Sequence, residues 1–173
     1  IPVIVLIYPA TATGDPSNIN LTNAGTINLM IPSASEAFNV RNATHVNITN
    51  SGTLNLKAAE HAIKLTATLQ LVQRLINSGT INITGGKIQG ITTAPAIKPN
   101  ILNNTGGMIN FVYDNPDGTT VATSDSVLVI NNGGVITGSC TFGAGTLNTS
   151  NGTLLPGDNG TGIGNMILTP ING

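Results

Sequence analysis

Asn23-Ala24-Gly25-Thr26-Ile27-Asn28-Leu29 recurs as Asn50-Ser51-Gly52-Thr53-Leu54-Asn55-Leu56 and again as Asn77-Ser78-Gly79-Thr80-Ile81-Asn82-Ile83, each copy 27 residues after the last. A fixed period of this length marks a solenoid, in which each unit stacks on the next because no unit can bury its apolar face alone. The leading Asn returns on the same spacing at Asn104 and Asn131, where the residues that follow have drifted to Thr-Gly-Gly-Met-Ile-Asn and Asn-Gly-Gly-Val-Ile-Thr. Five coils are visible. Asn23, Asn50, Asn77, Asn104 and Asn131 are expected to stack as a ladder of amides that satisfies polar groups beside the core.

Ahead of each copy lies an alternating stretch, Ile19-Asn20-Leu21-Thr22 and then Val46-Asn47-Ile48-Thr49. Period-2 alternation describes a strand with one buried face. Leu21, Ile48, Leu75, Leu102 and Val129 share one phase and are expected to point inward. The turn follows at Asn-Ala/Ser-Gly, residue types that tolerate left-handed backbone angles. A second strand then turns Ile27 and Leu29, Leu54 and Leu56, and Ile81 and Ile83 inward, and sends Thr26/Asn28, Thr53/Asn55 and Thr80/Asn82 outward. The second glycine in Gly106-Gly107 and Gly133-Gly134 shifts this alternation by one, which predicts a bulge that keeps Ile109, Phe111 and Ile136 inside.

A third, less regular strand is expected at residues 37–40, at 62–65 and at Ala96-Ile97. Residues 57–76 have a helical composition, yet an inserted helix would lengthen the coil and the Asn50 to Asn77 spacing is unchanged; the stretch reads as strand. Two or three short strands per coil, stepping about 4.8 Å per turn, make an all-β, right-handed parallel β-helix of about 27 residues per coil.

Composition suits stacked thin layers better than a thick core. Of 173 residues 40% are hydrophobic, but only 8% are charged and 3% aromatic, with no Trp. The net charge of −1 arises from 6 basic and 7 acidic residues without runs of either sign, which leaves no electrostatic footprint for nucleic acid. Cys140 is the one cysteine, so no internal disulfide or cysteine metal cluster forms, and it reads as a small buried apolar residue rather than a nucleophile.

The ends depart from the period. Residues 1–8 are nearly all apolar and precede Pro9-Ala10-Thr11-Ala12, where Ala10 and Ala12 fit a secretory cleavage pattern. Residues 1–12 are thus either the remnant of a signal peptide or an opening strand outside the repeat. The 27-residue coils occupy residues 13–142. Residues 143–173 continue as shorter Gly-Thr-Leu units, with Asp158 falling 27 residues after Asn131 as the ladder residue of a sixth coil. Both ends look cut from a longer protein, and no stretch approaches the length of a transmembrane helix.

Chemistry needs clustered groups, and the period separates them. Glu60 and Asp114 share a phase two coils apart and Glu36 and Asp117 three coils apart, so strict stacking leaves about 10 Å or more within each pair. Asp114, Asp117 and Asp125 form a local group that reads as a solvated turn in preference to a calcium site. His45 and His61 lack partners at ligand spacing. No catalytic, cofactor-binding or metal-binding residue is therefore assigned. The outward Thr-x-Asn array is a regular uncharged face, a surface that could bind ice or a glycan, although Thr and Asn are also ordinary solvent-facing strand residues.

The repeated Asn-Ser-Gly-Thr-Ile/Leu behind a Val-Asn-Ile-Thr strand resembles the passenger domains of bacterial autotransporters. Gly152-Thr153-Leu154-Leu155-Pro156-Gly157-Asp158-Asn159-Gly160-Thr161-Gly162 is similar to a segment common late in such passengers. The resemblance spans residues 19 to about 165 and implies a monomeric stalk exported to the cell surface through a C-terminal β-barrel that this chain lacks. It also implies adhesion to host-cell or cell-surface glycan or protein, and carries over no functional residue because the shared motif is scaffold. The expectation is a non-catalytic adhesin or stalk without cofactor. A β-helical polysaccharide lyase or hydrolase and an ice- or glycan-binding solenoid are the alternatives.

Overall fold

A computed structural model describes residues 5–7, 19–40, 45–67, 72–92, 100–112, 119–121, 128–142, 147–149, 151–157 and 164–168. Every regular element among them is a strand. In chain order these are β1 (Val5–Ile7), β2 (Ile19–Asn23), β3 (Thr26–Ile31), β4 (Glu36–Val40), β5 (His45–Asn50), β6 (Thr53–Ala67), β7 (Val72–Asn77), β8 (Thr80–Thr92) and β9 (Asn100–Asn104). There follow β10 (Met108–Phe111), β11 (Thr119–Val121), β12 (Leu128–Asn132), β13 (Val135–Gly138), β14 (Cys140–Phe142), β15 (Leu147–Asn148), β16 (Thr153–Pro156) and β17 (Met166–Leu168). All the paired strands run parallel, in a β-solenoid.

The first face of the solenoid is a six-stranded sheet in the order β15-β12-β9-β7-β5-β2. The second face runs through β3, the first part of β6 and of β8, β10, β13 and β16. The third holds β1, β4 and the later parts of β6 and β8, and then a separate sheet β11-β14-β17. Strands β2 to β4 make coil one, β5 and β6 coil two, and β7 and β8 coil three. Coils four, five and six are β9 to β11, β12 to β14, and β15 to β17. Residues 57–67 and 72–76 of the helical-looking stretch are strand, because stacking on both neighbouring coils outweighs a propensity of a few tenths of a kcal/mol per residue.

The core is a set of aliphatic columns. Leu54, Ile81, Ile109 and Ile136 stack in one register, as do Ile63 and Ile88 on the third face, all fully buried or nearly so. Phe111 continues the column of Leu29, Leu56 and Ile83, and Gly138 takes that place in coil five. There Phe142 meets Phe111 edge to face, with ring centroids 6.1 Å apart and planes at 87°, a favourable arrangement of ring quadrupoles. The expected inward positions of Ile109, Phe111 and Ile136 are those observed. Gly106 and Gly133 supply the left-handed angles of the altered turns, at φ 84° and 83°.

Four expectations are corrected. In coil four the ladder residue is Asn103, not Asn104, and the inward aliphatic residue is Ile101, not Leu102. The doublets Ile101-Leu102 and Asn103-Asn104 hide a one-residue slip from any pattern search, since either register presents an aliphatic residue and an Asn. The longer turn Thr105-Gly106-Gly107 absorbs the slip and restores Met108 opposite Thr80. In the turns of coils one to three the glycines do not adopt left-handed angles.

Third, coil six lies nearer than the period places it: Val129 pairs with Leu147 and Val135 with Thr153. The first of these pairings continues with Ile130 opposite Asn148; Asp158, the expected ladder residue of a sixth coil, lies outside the described residues. Fourth, the third face keeps the strands expected at 37–40 and 62–65, with Phe38 opposite Ile63, but in coil three Ile63 sits opposite Ile88, again two residues short of the period. Ile88 thus fills the place in coil three expected of Ala96-Ile97, a pair outside the described residues. Within the apolar leader, Val5–Ile7 pairs with Phe38–Val40 as an added strand of this face.

Candidate functional site

The inner Asn ladder is a structural device. Asn23 Nδ2 donates to Asn50 Oδ1, Asn50 Nδ2 to Asn77 Oδ1 and Asn77 Nδ2 to Asn103 Oδ1, each at 2.8 Å, and Asn103 Nδ2 donates to Asn131 Oδ1 at 2.9 Å. Each amide Nδ2 also reaches a main-chain carbonyl just past the turn of the next coil, at Thr53, Thr80, Met108, Val135 and Thr153 in order, at 3.1–3.2 Å. Asn50, Asn77, Asn103 and Asn131 are fully buried. Both amide donors and the oxygen are satisfied at each interior rung, which is what a buried amide needs to avoid a desolvation cost of about 1–3 kcal/mol per unpaired group. Nothing is left over for a ligand.

The outer array of the second face is different. Thr26, Thr53 and Thr80 are aligned in register, and so are Asn28, Asn55, Asn82 and Asn110. Asn55 Nδ2 donates to Asn28 Oδ1 at 2.6 Å, Asn82 Nδ2 to Asn55 Oδ1 at 2.8 Å and Asn110 Nδ2 to Asn82 Oδ1 at 3.2 Å. These amides are fixed in orientation, yet Asn28 is exposed and Asn55 and Asn82 are only half-buried. Each interior rung uses one N–H and one oxygen lone pair and keeps one of each. Among the described residues no intramolecular partner engages the hydroxyls of Thr26, Thr53 and Thr80. Met108 closes the Thr column, and Met30, 46% exposed, flanks the array at its other side beside Lys57.

A third cluster lies on the third face, where Glu36, His61 and Lys87 occupy one register column in coils one, two and three. Lys64 Nζ lies 2.6 Å from Glu36 Oε1, and Asn39 Nδ2 donates to Glu36 Oε2. Both carboxylate oxygens are thus engaged, and the group staples coil one to coil two. His61 Nδ1, buried without a hydrogen-bond partner, is 3.8 Å from Glu60 Oε2. Burial, and then the neighbouring Lys64 charge, hold the His61 imidazole below its ordinary value of 6.5, against the opposite pull of Glu60 and Glu36. Comparing acids with acids at the exact period misses this cluster. Comparing Glu36 with bases near the period finds Lys64 at a separation of 28 residues.

The other candidates do not join it. Cys140 is buried, and burial pushes its thiol up to about 12, so it behaves as a core residue. The main chain of His45 pairs with that of Val72 on the first face. Asp114, Asp117 and Asp125 lie outside the described residues, as does Asp15. No three His, Cys, Asp or Glu side chains among the described residues are placed to hold a metal ion. Comparison with known families, with curated proteins and with solved structures returns no match.

Proposed function

We propose that this chain is a non-catalytic stalk segment of an exported surface protein, of the autotransporter-passenger type, that displays an adhesive surface. The observation that carries the reading is the use to which the repeated side chains are put. Inner Asn, aliphatic columns and turn glycines are consumed in stacking one coil on the next, while the Thr and Asn columns left to solvent on the second face are uncharged and the Asn side chains order one another. A scaffold of this kind lengthens by repetition and keeps its lateral faces for contact. The resemblance of the Gly-Thr-Leu-Leu-Pro-Gly tail to late passenger segments adds the expectation of export.

The test is exposure of the native protein on intact cells of the source organism. An antibody raised against this chain should lose its target when unbroken cells are treated with a protease that cannot enter them. Signal that persists until the cells are lysed would overturn surface display.

A further inference from the structure

We propose that the Thr/Asn array of the second face, Thr26, Thr53, Thr80 with Asn28, Asn55 and Asn82, binds an extended neutral polysaccharide laid along the solenoid axis. The inference deepens the adhesive reading and takes its biological sense from it. Four observations point to that ligand class. The Thr and Asn columns carry no charged residue, the nearest on this face being Lys57 at their margin, so their hydrogen-bonding groups do not select an ion by charge. The amides are already locked to one another at 2.6–3.2 Å, so a ligand need not freeze those side chains, which lowers the entropic cost of binding.

The remaining N–H and lone pair of each interior rung, with three unengaged hydroxyls, recur at the strand spacing of about 4.8 Å. A stiff chain of linked sugar rings offers hydroxyl donors and acceptors in rows at a comparable repeat, and a flexible coil does not. Met30 and Met108 bracket the array with apolar surface, suited to the C–H faces of sugar rings. An ice plane is the less favoured occupant, because the Thr column ends after three coils, where Met108 and then Val135 take its place. An ordered lattice gains from a long uninterrupted match; a polysaccharide needs only a few consecutive rings.

The experiment is affinity electrophoresis of the full chain through gels containing hydroxyethyl cellulose or glucomannan, with flexible dextran as the comparison polymer. Retardation is expected in the first two and not in dextran. The Thr53→Val/Thr80→Val variant, which keeps β-branched side chains and removes two hydroxyls, should bind at least tenfold more weakly. Thr53→Ser/Thr80→Ser should retain most of the binding, and Thr49→Val on the first face should match wild type, with circular dichroism checking that each variant is folded. Migration of the wild type unretarded in every gel overturns the proposal, and so does equal retardation of the double valine variant. Thermal hysteresis without retardation would overturn it in favour of ice. None of these outcomes depends on where the protein resides, so surface display and polysaccharide binding fail separately.

Discussion

Gly25, Gly52 and Gly79 hold equivalent places in three successive turns but meet different surroundings. A methyl group on Gly52 would drive into the main-chain oxygen of Gly25, and one on Gly79 into that of Gly52, whereas around Gly25 there is open space. The requirement for glycine here is close approach of one turn to the turn beneath it, and the first turn of the stack has none beneath it among the described residues. Gly25→Ala is accordingly expected to be neutral or to stabilise by about 0.5 kcal/mol through the unfolded chain. Gly52→Ala should lower stability by about 2 kcal/mol or more, since backbone must move. Urea unfolding followed by circular dichroism checks both, and equal effects at the two sites would count against turn-on-turn contact. Gly107, Gly134 and Gly152 obey a related constraint, for a methyl there would strike the amide of Asn103 or Asn131.

Strands show how far a period reaches and where it stops. The first two faces could be read from the sequence in coils one to three, because alternation and the 27-residue repeat agree there and one-residue slips would turn the core outward. Coil four escaped, since its paired Ile-Leu and Asn-Asn doublets satisfy two registers equally. On the third face the strands at 37–40 and 62–65 were legible but the place of coil three was not: β6 and β8 carry register shifts at Leu56/Lys57, Lys57/His61 and His61/Ile63, and bulges change spacing without leaving a residue signature.

That is why the placing of His61 over Lys87 could not be projected, whereas the contact of Glu36 with Lys64 lies one residue from the period and could be found by a search that allows that slip. The consequence is a pH dependence in this corner. His61 faces Glu60 and Lys64 of β6, Glu36 of β4 and Lys87 of β8, and its folded value lies below 6.5. The unfolded chain therefore takes up the proton first as pH falls, and the stability supplied by neutral His61 is present above 6.5 and lost on descending through the folded value. Thermal unfolding midpoints should fall between pH 7.5 and pH 5 in wild type, and His61→Gln should flatten that part of the profile.

Across the whole molecule stability is a sum over neighbouring coils, not the property of one central core. Coil three has a full coil on either side, and Leu75, Ile81, Ile83 and Ile88 are completely buried. Coil six leaves Leu155, Ile167 and Leu168 about half exposed. Amide hydrogen exchange should therefore be slowest in β7 and β8 and fastest in β15 to β17; uniform protection along the chain would mean that the stack unfolds as a single unit. The outer Thr/Asn array was legible in its first three coils, because the residues that face solvent there are the same ones that define the repeat. Its mutual hydrogen bonding, and the extension of the Asn column to Asn110, needed coordinates, since the Gly106-Gly107 insertion hides the register of coil four.

The two rows of amides also give the rod a direction. Along the inner row each Nδ2 donates toward the C-terminus, from Asn23 to Asn131; along the outer row each donates back toward the N-terminus, from Asn110 to Asn28. The inner row opens on an oxygen, which the Gly25 N–H occupies, and closes on an amino group, which the Thr153 carbonyl receives. The opposed rows act as two antiparallel strings of dipoles whose fields oppose each other along the axis. Each row on its own tells head from tail, so a coil grafted upside down would meet, in either row, donor against donor on one side and acceptor against acceptor on the other.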